Sequence, residues 1–155
     1  AATPSASCDR FAVAADLELT FDLHDLGKVM VYGEVVAAGN LDRGNVIADP
    51  VASGRDYREL GYYAAVIHQP ARWAMYGVRF DRYAPDADAN ELRTGMVVPV
   101  DQTLSTLAVT GAVMVDHARL ILEWDHNTNH SGRTVSGVPT NLGDDAVTLR
   151  AQVEL

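Results

Sequence analysis

The sequence predicts an all-β protein, an antiparallel up-and-down meander of about seven or eight strands. Three observations lead to this prediction. Apolar and polar residues alternate in several segments, no segment carries a helical apolar stripe with caps, and short connections alternate with long ones. The chain has 155 residues, of which 48% are hydrophobic and 21% are charged, a composition typical of a folded domain. We therefore interpret residues 1–155 as a single domain.

The charge balance argues against nucleic acid as a partner. Asp and Glu number 21 and Lys and Arg 12, which gives a formal net charge of −9, whereas phosphate binding needs a basic face. A single cysteine, Cys8, excludes an intrachain disulfide and a cysteine-rich metal site. No apolar run approaches the roughly eighteen residues that a membrane-spanning helix needs.

The first predicted strand has the clearest pattern. Over residues 11–23 every odd position is apolar and every charge falls on an even position, so one face of the strand is apolar and the other is wet. The same alternation predicts strands over residues 74–81, 119–125 and 147–155.

Three other segments alternate less cleanly but are rich in strand-forming residues. They are residues 29–38, 60–68 and 103–115, in which Val, Tyr, Ile and Thr favour strands and a few glycines allow bends. An eighth strand within a long connection, at Met96–Val100, stays open as an alternative.

The connections between these strands alternate in length. The short ones are residues 24–27, 69–72 and 116–118. The long ones contain roughly fifteen to twenty residues each, rich in Gly, Pro, Asp and Asn, and occupy residues 39–59, 84–102 and 128–143. In a meander alternate connections lie at the same end, so tight turns gather at one rim and long loops at the other. Short periplasmic turns and long outer loops are typical of outer-membrane β-barrels, and the sequence therefore predicts part of a transmembrane barrel.

In such a barrel the apolar side chains face lipid and the charged ones face a watery lumen. The predicted pore-lining residues are Asp16, Glu18, Asp22, Glu34, Arg79, Asp81, Arg119, Glu123, Arg150 and Glu154. Because carboxylates are in excess, this wall favours the passage of cations. Arg79 and Asp81 either line a constriction or satisfy each other across the sheet.

Aromatic residues cluster toward the strand ends, as interfacial girdles do. The predicted girdle residues are Phe11, Phe21, Trp73, Tyr83 and Trp124.

The predicted strand directions indicate a larger barrel. A short turn follows the first strand, which places the start of that strand on the long-loop side. Bacterial single-chain barrels have an even number of strands and both termini at the periplasmic rim. We therefore expect this chain to be the carboxyl-terminal segment of a larger barrel, with at least one strand upstream.

Several segments resemble phosphate-selective-porin-like proteins of the porin O/P type. Gly-Val-Arg-Phe-Asp-Arg-Tyr-Ala-Pro at residues 77–85 is similar to their Gly-Val-Arg-Tyr-Asp-x-Tyr-x-Pro stretch. Residues 119–127 and 144–155 look like their penultimate and closing strands. The resemblance implies a passive, water-filled pore in the bacterial outer membrane for small hydrophilic solutes, commonly trimeric, embedded in outer-membrane lipid and without cofactor or enzymatic activity. Leu155 departs from the aromatic residue that usually ends these barrels, and no cationic constriction for phosphate is evident.

A soluble antiparallel barrel of the lipocalin kind is the alternative. Its apolar face would turn inward around a small apolar ligand, and its charges would face solvent.

One acidic loop imitates the start of a calcium-binding loop. It begins at Asp86 and continues through Asp88 and Asn90, but Glu91 stands where the sharp turn needs Gly and Val97 where a bidentate Glu is needed. We interpret it as a solvated acidic loop.

Two further constellations carry chemistry in other proteins. Glu123, Asp125, His126 and His130 could form a metal site, but His126 points away from the two carboxylates. Ser131 near these histidines could serve a hydrolase, but no Gly-x-Ser-x-Gly sequence surrounds it. We interpret the first four residues as lumen and rim polarity and Ser131 as an ordinary loop residue, and no enzyme is predicted.

Overall fold

The computed structural model describes residues 9–40, 56–85, 89–93, 96–100, 103–129, 132–136 and 138–153. The strands are β1 (Phe11–Asp22), β2 (Lys28–Gly39), β3 (Arg58–Ala71), β4 (Ala74–Ala84), β5 (Ala89–Arg93), β6 (Met96–Val100), β7 (Leu104–Val115), β8 (Ala118–Thr128), β9 (Gly132–Arg133), β10 (Pro139–Thr140) and β11 (Ala146–Val153). A short 3₁₀ turn at His24–Leu26 follows β1. Within these ranges there is no α-helix, and hence none long and apolar enough to span a bilayer.

Seven strands form one antiparallel sheet in the order β1-β2-β3-β4-β7-β8-β11. Because neighbours in the sheet follow one another along the chain, the predicted all-β, up-and-down meander is confirmed. The sheet is open, with β1 and β11 as its two edges. We call the end of the sheet with the long connections the long-connection end, and the end with the tight turns the short-turn end. Both edge strands run from the long-connection end to the short-turn end.

Two small hairpins lie within the long connections. The strand considered at Met96–Val100 exists as β6, but it pairs with β5 and not with the main sheet. β9 and β10 form a second hairpin between β8 and β11. The main sheet therefore has the seven strands that the alternation predicts.

The register separates two faces that extend over the whole sheet. Leu17 pairs with Gly33 and Asp16 pairs with Glu34, and the same alternation continues through every strand pair. The apolar face carries Phe11, Val13, Leu17, Leu19, Phe21, Val31, Val35, Tyr62, Val66, Val78, Phe80, Leu107, Val109, Val113, Leu120, Leu122, Trp124, Val147, Leu149 and Val153. The ionic face carries the charged residues of the seven strands except Arg58 and Arg82, which lie on the apolar face toward the long-connection end.

Exposure differs sharply between the two faces of the central strands. On the apolar face Val66 is 48% exposed and Val109 is 42% exposed, whereas Ala65 and Ala108 on the ionic face are each 3% exposed. Curvature crowds the side chains on the concave side of a sheet and spreads those on the convex side. This pattern therefore indicates a sheet that curls with its ionic face inward.

The short-turn end is held by tight backbone contacts. Gly27 has a φ of +85°, and a Cβ there would lie 2.1 Å from the carbonyl oxygen of Gln69, so only glycine fits. His68 Nε2 donates to the Leu26 carbonyl at 2.7 Å, and in the neutral ring Nδ1 accepts from the Tyr76 hydroxyl at 2.5 Å. The turn after β1 is thus tied to β3 and β4.

Buried asparagines hold the long-connection end. Asn40, 2% exposed and with a φ of +58°, accepts the Tyr57 backbone N–H at 2.9 Å. Its side-chain amide donates to the Asp9 carbonyl at 2.8 Å and to Asp56 Oδ1 at 2.9 Å. The side chain of Asn40 thus joins the segments before β1, after β2 and before β3.

A second buried asparagine, Asn129, joins neighbouring segments after β8. Asn129 is 4% exposed, donates from its amide to Asp144 at 3.1 Å, and accepts the Leu142 backbone N–H at 3.2 Å. Asn141 Oδ1 in turn accepts the Asn129 backbone N–H at 2.7 Å. These contacts fix the start of β11 against the end of β8.

Candidate functional site

Most of the predicted pore-lining residues share one surface. Asp16, Glu18, Asp22, Glu34, Arg79, Asp81, Arg119, Glu123 and Arg150 all lie on the ionic face. Glu154 lies outside the described residues. The structure therefore brings these side chains to one wall, and their role in a pore stays a prediction.

The register aligns polar residues in one line across six strands of this face. We call it the polar row, and its members in strand order are Asp16, Glu34, Tyr63, Asp81, Thr106 and Asn127. Each strand contributes the side chain that faces inward at this level, so the line follows from the antiparallel pairing itself. Three of its members are carboxylates and none is cationic.

Neighbours within the polar row hold one another in place. Tyr63 lies directly opposite Glu34 in the β2–β3 register, and Thr106 Oγ1 donates to Asn127 Oδ1 at 2.7 Å. Tyr63 also meets Tyr32 edge-on, with ring centroids 5.9 Å apart, and this geometry is favourable for aromatic pairs. These contacts order part of the polar row.

Arg79 lies on the same face as the polar row, two residues from Asp81 along β4 toward the short-turn end. Its Nε lies 2.8 Å from Asp81 Oδ2, in a charge-assisted hydrogen bond between two residues of β4. Ala65 and Ala108 pair with Arg79 on either side, and their small side chains leave room for the guanidinium to turn along the strand. Of the two interpretations of Arg79 and Asp81, the structure supports mutual pairing.

A cavity of about 360 Å³ adjoins the polar row on its long-connection side. Its walls on the ionic face are Glu34, Val36, Tyr63, Asp81, Tyr83, Leu104 and Thr106. Gly61 forms part of the floor, because the absence of a side chain there opens space between Val36 and Tyr83. Two tyrosines and two carboxylates therefore surround one concave space.

Asp125 carries an unsatisfied oxygen on the same face. Its Oδ1 is buried and has no hydrogen-bond partner among the described residues. A buried carboxylate oxygen without a donor is costly, and such atoms usually have water or an ion as partner. Asp125 pairs with Ala108 in the register, which places it on the level of Arg79.

Aromatic and cationic groups border the apolar face at both ends. At the long-connection end the Arg58 guanidinium lies 5.3 Å from the centroid of the Phe11 ring. Trp124 stacks on His126 at 5.8 Å, but it pairs with Val109 near the middle of β7 and so does not lie at a strand end. At the short-turn end Trp73 is 63% exposed. Of the predicted girdle residues, Tyr83 also departs from this arrangement, because the register places it on the ionic face opposite Gly61.

His126, one of the residues considered for a metal site, hydrogen-bonds to Asp145 instead. His126 lies on the apolar face, away from Glu123 and Asp125, and its Nδ1 donates to Asp145 at 2.9 Å. This hydrogen bond, with a second from the Asn127 backbone N–H at 3.2 Å, lowers the pKa of Asp145 below its ordinary value. Among the described residues no three His, Cys, Asp or Glu side chains converge as metal ligands.

Other considered sites fall outside the described residues. This applies to His130 and Ser131, and to Asp86 and Asp88 of the acidic loop. The backbone of Asn90, from the same loop, belongs to β5.

Sequence reasoning missed the uncharged members of the polar row and the cavity. Tyr63, Thr106 and Asn127 carry no charge, so a search for charges on alternating positions passes over them. Their alignment with Glu34 and Asp81 depends on the register between strands, which the lengths of the long connections do not fix. The only signal in the sequence was the position of each residue on the wet face of its own strand.

Comparison of the chain with protein-family models, with curated proteins and with solved structures found no match. The resemblance to phosphate-selective-porin-like proteins therefore stays a prediction.

Proposed function

We propose that this sheet is part of the wall of an outer-membrane, porin-like channel through which small hydrophilic solutes diffuse passively. The observation that carries the proposal is the separation of the two faces over all seven strands. Apolar side chains cover the outer face, and nearly all the carboxylates and arginines of the seven strands lie on the inner one. A barrel that crosses a bilayer has this distribution, because lipid contacts its outside and water fills its lumen.

The extent of the apolar face supports a membrane environment. Large apolar side chains stay exposed on edge and central strands alike, with Leu149 at 68%, Val78 at 49% and Phe21 at 48%. Soluble monomers rarely leave a contiguous apolar surface of this kind uncovered. Lipid tails would cover it without any further protein.

The length of the strands fits the thickness of a bilayer. At about 3.4 Å per residue, the 12 residues of β1 extend about 40 Å, or about 29 Å along the membrane normal at a tilt of roughly 45°. This matches a hydrocarbon core of about 30 Å. The aromatic and cationic groups near Phe11 and Trp73 then lie at the two interfaces, where such side chains are favoured.

The curl of the sheet favours this function over the soluble, ligand-binding alternative. A lipocalin-like barrel needs its apolar side chains inside, whereas here the crowded, inward side carries Ala65, Arg79 and Ala108 and the spread side carries Val66 and Val109. An apolar ligand inside this curl would contact the ionic face.

A matched pair of substitutions tests the proposal in the full-length protein. Val109→Arg puts a charge on the apolar face at the middle of β7, and Thr110→Arg puts the same charge on the ionic face one residue later. An arginine facing lipid at the bilayer midplane costs about 2–4 kcal/mol, whereas one in a watery lumen costs little. We expect Val109→Arg alone to lower the free energy of unfolding from lipid vesicles by that amount, and the unmodified protein to give ohmic conductance in planar bilayers.

A soluble protein would behave in the opposite way. Val109 is already exposed, so a soluble sheet would accept arginine at that position as readily as at Thr110. Equal stability of the two variants, together with a folded monomer in detergent-free buffer, would exclude the channel.

A further inference from the structure

We propose that the cavity beside the polar row is a binding subsite for small organic cations, that is, for solutes with a quaternary or protonated amine. The inference rests on the proposed channel, because it takes the ionic face as the wall that solutes pass. The inference adds the chemical class of the solute and the place on the wall where that solute binds.

The size of the cavity indicates an organic solute. About 360 Å³ lies within the range of small-molecule pockets, roughly 300–1,000 Å³. A bare metal ion would instead need several oxygens converging on one point, and no such group of His, Cys, Asp or Glu occurs among the described residues. The space therefore fits a solute of several heavy atoms.

The charge of the walls indicates a cation. Asp81 is already compensated by Arg79 at 2.8 Å, whereas Glu34 has no cationic side chain within salt-bridge distance among the described residues. Arg82 also borders the cavity, but the register places its side chain on the apolar face. The wall on the ionic face thus keeps one net negative charge, centred on Glu34.

The aromatic walls favour an alkylated or protonated amine. Tyr63 and Tyr83 both line the cavity, and Tyr32 supports the Tyr63 ring edge-on at 5.9 Å. The face of an aromatic ring attracts a cation that lies within about 6 Å of its centroid. A carboxylate and two tyrosines around one cavity form a combination that attracts a cation and tolerates its alkyl groups.

Asp125 independently supports a cationic solute on this wall. Its buried Oδ1 lacks a donor among the described residues, so negative charge on the ionic face extends beyond the cavity toward the short-turn end.

Equilibrium binding tests the subsite without relying on conductance. Full-length protein in detergent micelles is titrated by calorimetry with choline and with 3,3-dimethyl-1-butanol, which has the same shape but no charge. We expect saturable binding of choline, and at least tenfold weaker binding of the neutral compound. Glu34→Gln should weaken choline binding at least tenfold, and Asp22→Asn, which removes one charge from the same face at the short-turn end, less than twofold.

Three results would overturn the subsite: no saturable binding of choline, equal binding of the two compounds, or equal losses in the two variants. The last would mean that choline responds to the overall field of the wall and not to the cavity. Conductance of the same preparation separates this inference from the channel. A protein that conducts but does not bind choline keeps its channel and loses the subsite, and one that binds choline without conducting keeps the subsite and loses the channel.

Discussion

Asn40 combines two demands that few side chains can meet together. Its backbone lies in the left-handed region, where Asn is tolerated better than most residues. Its side chain meanwhile accepts from Tyr57 and donates to Asp9 and Asp56. A run of apolar alternation could not have predicted this role, because Asn40 lies just outside the strand that the alternation describes.

Replacing Asn40 should destabilise the long-connection end in two separable steps. Asn40→Gly keeps the backbone conformation but removes the side-chain oxygen that accepts the Tyr57 N–H, and removing the acceptor of a buried donor costs about 1–3 kcal/mol. Asn40→Ala should lose about 1–2 kcal/mol more, because alanine strains the left-handed conformation. Urea-induced unfolding of the protein in detergent micelles measures both. Equal stability of the two variants would show that the backbone conformation carries no strain.

Asp145 makes the end of β8 sensitive to acid. Its hydrogen bond from His126 lowers its pKa below the ordinary 3.8, with a further contribution from the Asn127 N–H. A carboxylate with a lowered pKa in the folded state stabilises that state fully above its unfolded pKa, and this stabilisation is lost as the pH falls through the folded pKa. The contact should therefore persist above about pH 4 and disappear below the folded value.

The carboxyl resonance of Asp145, followed by NMR as pH is lowered, measures this directly. We expect a midpoint below 3.8 in the unmodified protein and a shift toward 3.8 in His126→Ala. A midpoint that does not move in the variant would assign the lowering to the Asn127 amide alone.

At the scale of an element, the turn between β1 and β2 depends on a glycine in a left-handed conformation. Gly27 has no space for a Cβ, because the Gln69 carbonyl oxygen would lie 2.1 Å away. Gly27→Ala should therefore lower the free energy of unfolding by at least about 2 kcal/mol, from backbone strain and from overlap. Gly111→Ala is the matched control, because nothing lies within 4 Å of a Cβ at that position in β7. If both variants unfold at the same urea concentration, the turn does not constrain the sheet.

Strands differ in how far their own sequence determines them. β1 could be predicted because all of its charges fall on one face, and no helix would keep them together. β5 could not, because Ala-Asn-Glu-Leu-Arg has little intrinsic preference for a strand and depends on pairing with the valine-rich β6. Local alternation thus predicts the long strands of the sheet, and pairing decides the short ones.

At the scale of the whole molecule, the faces could be predicted but the arrangement within them could not. Alternation alone places Glu34 and Asp81 on one side of the sheet. It does not place Tyr63 between them, because a shift of one strand by two residues would keep every side chain on its face and still dissolve the polar row. The cavity therefore depends on the register of four neighbouring strands, β2, β3, β4 and β7, and not on any single segment.

The directions of the two edge strands constrain how the sheet can close. β1 and β11 point the same way, so a ring with antiparallel pairs throughout requires an odd number of additional strands between them. Two copies inserted in the same orientation cannot close such a ring, since every seam between them would join strands that point alike. In the proposed channel, the strands that complete the ring therefore cannot be supplied by further copies of this sheet in that orientation.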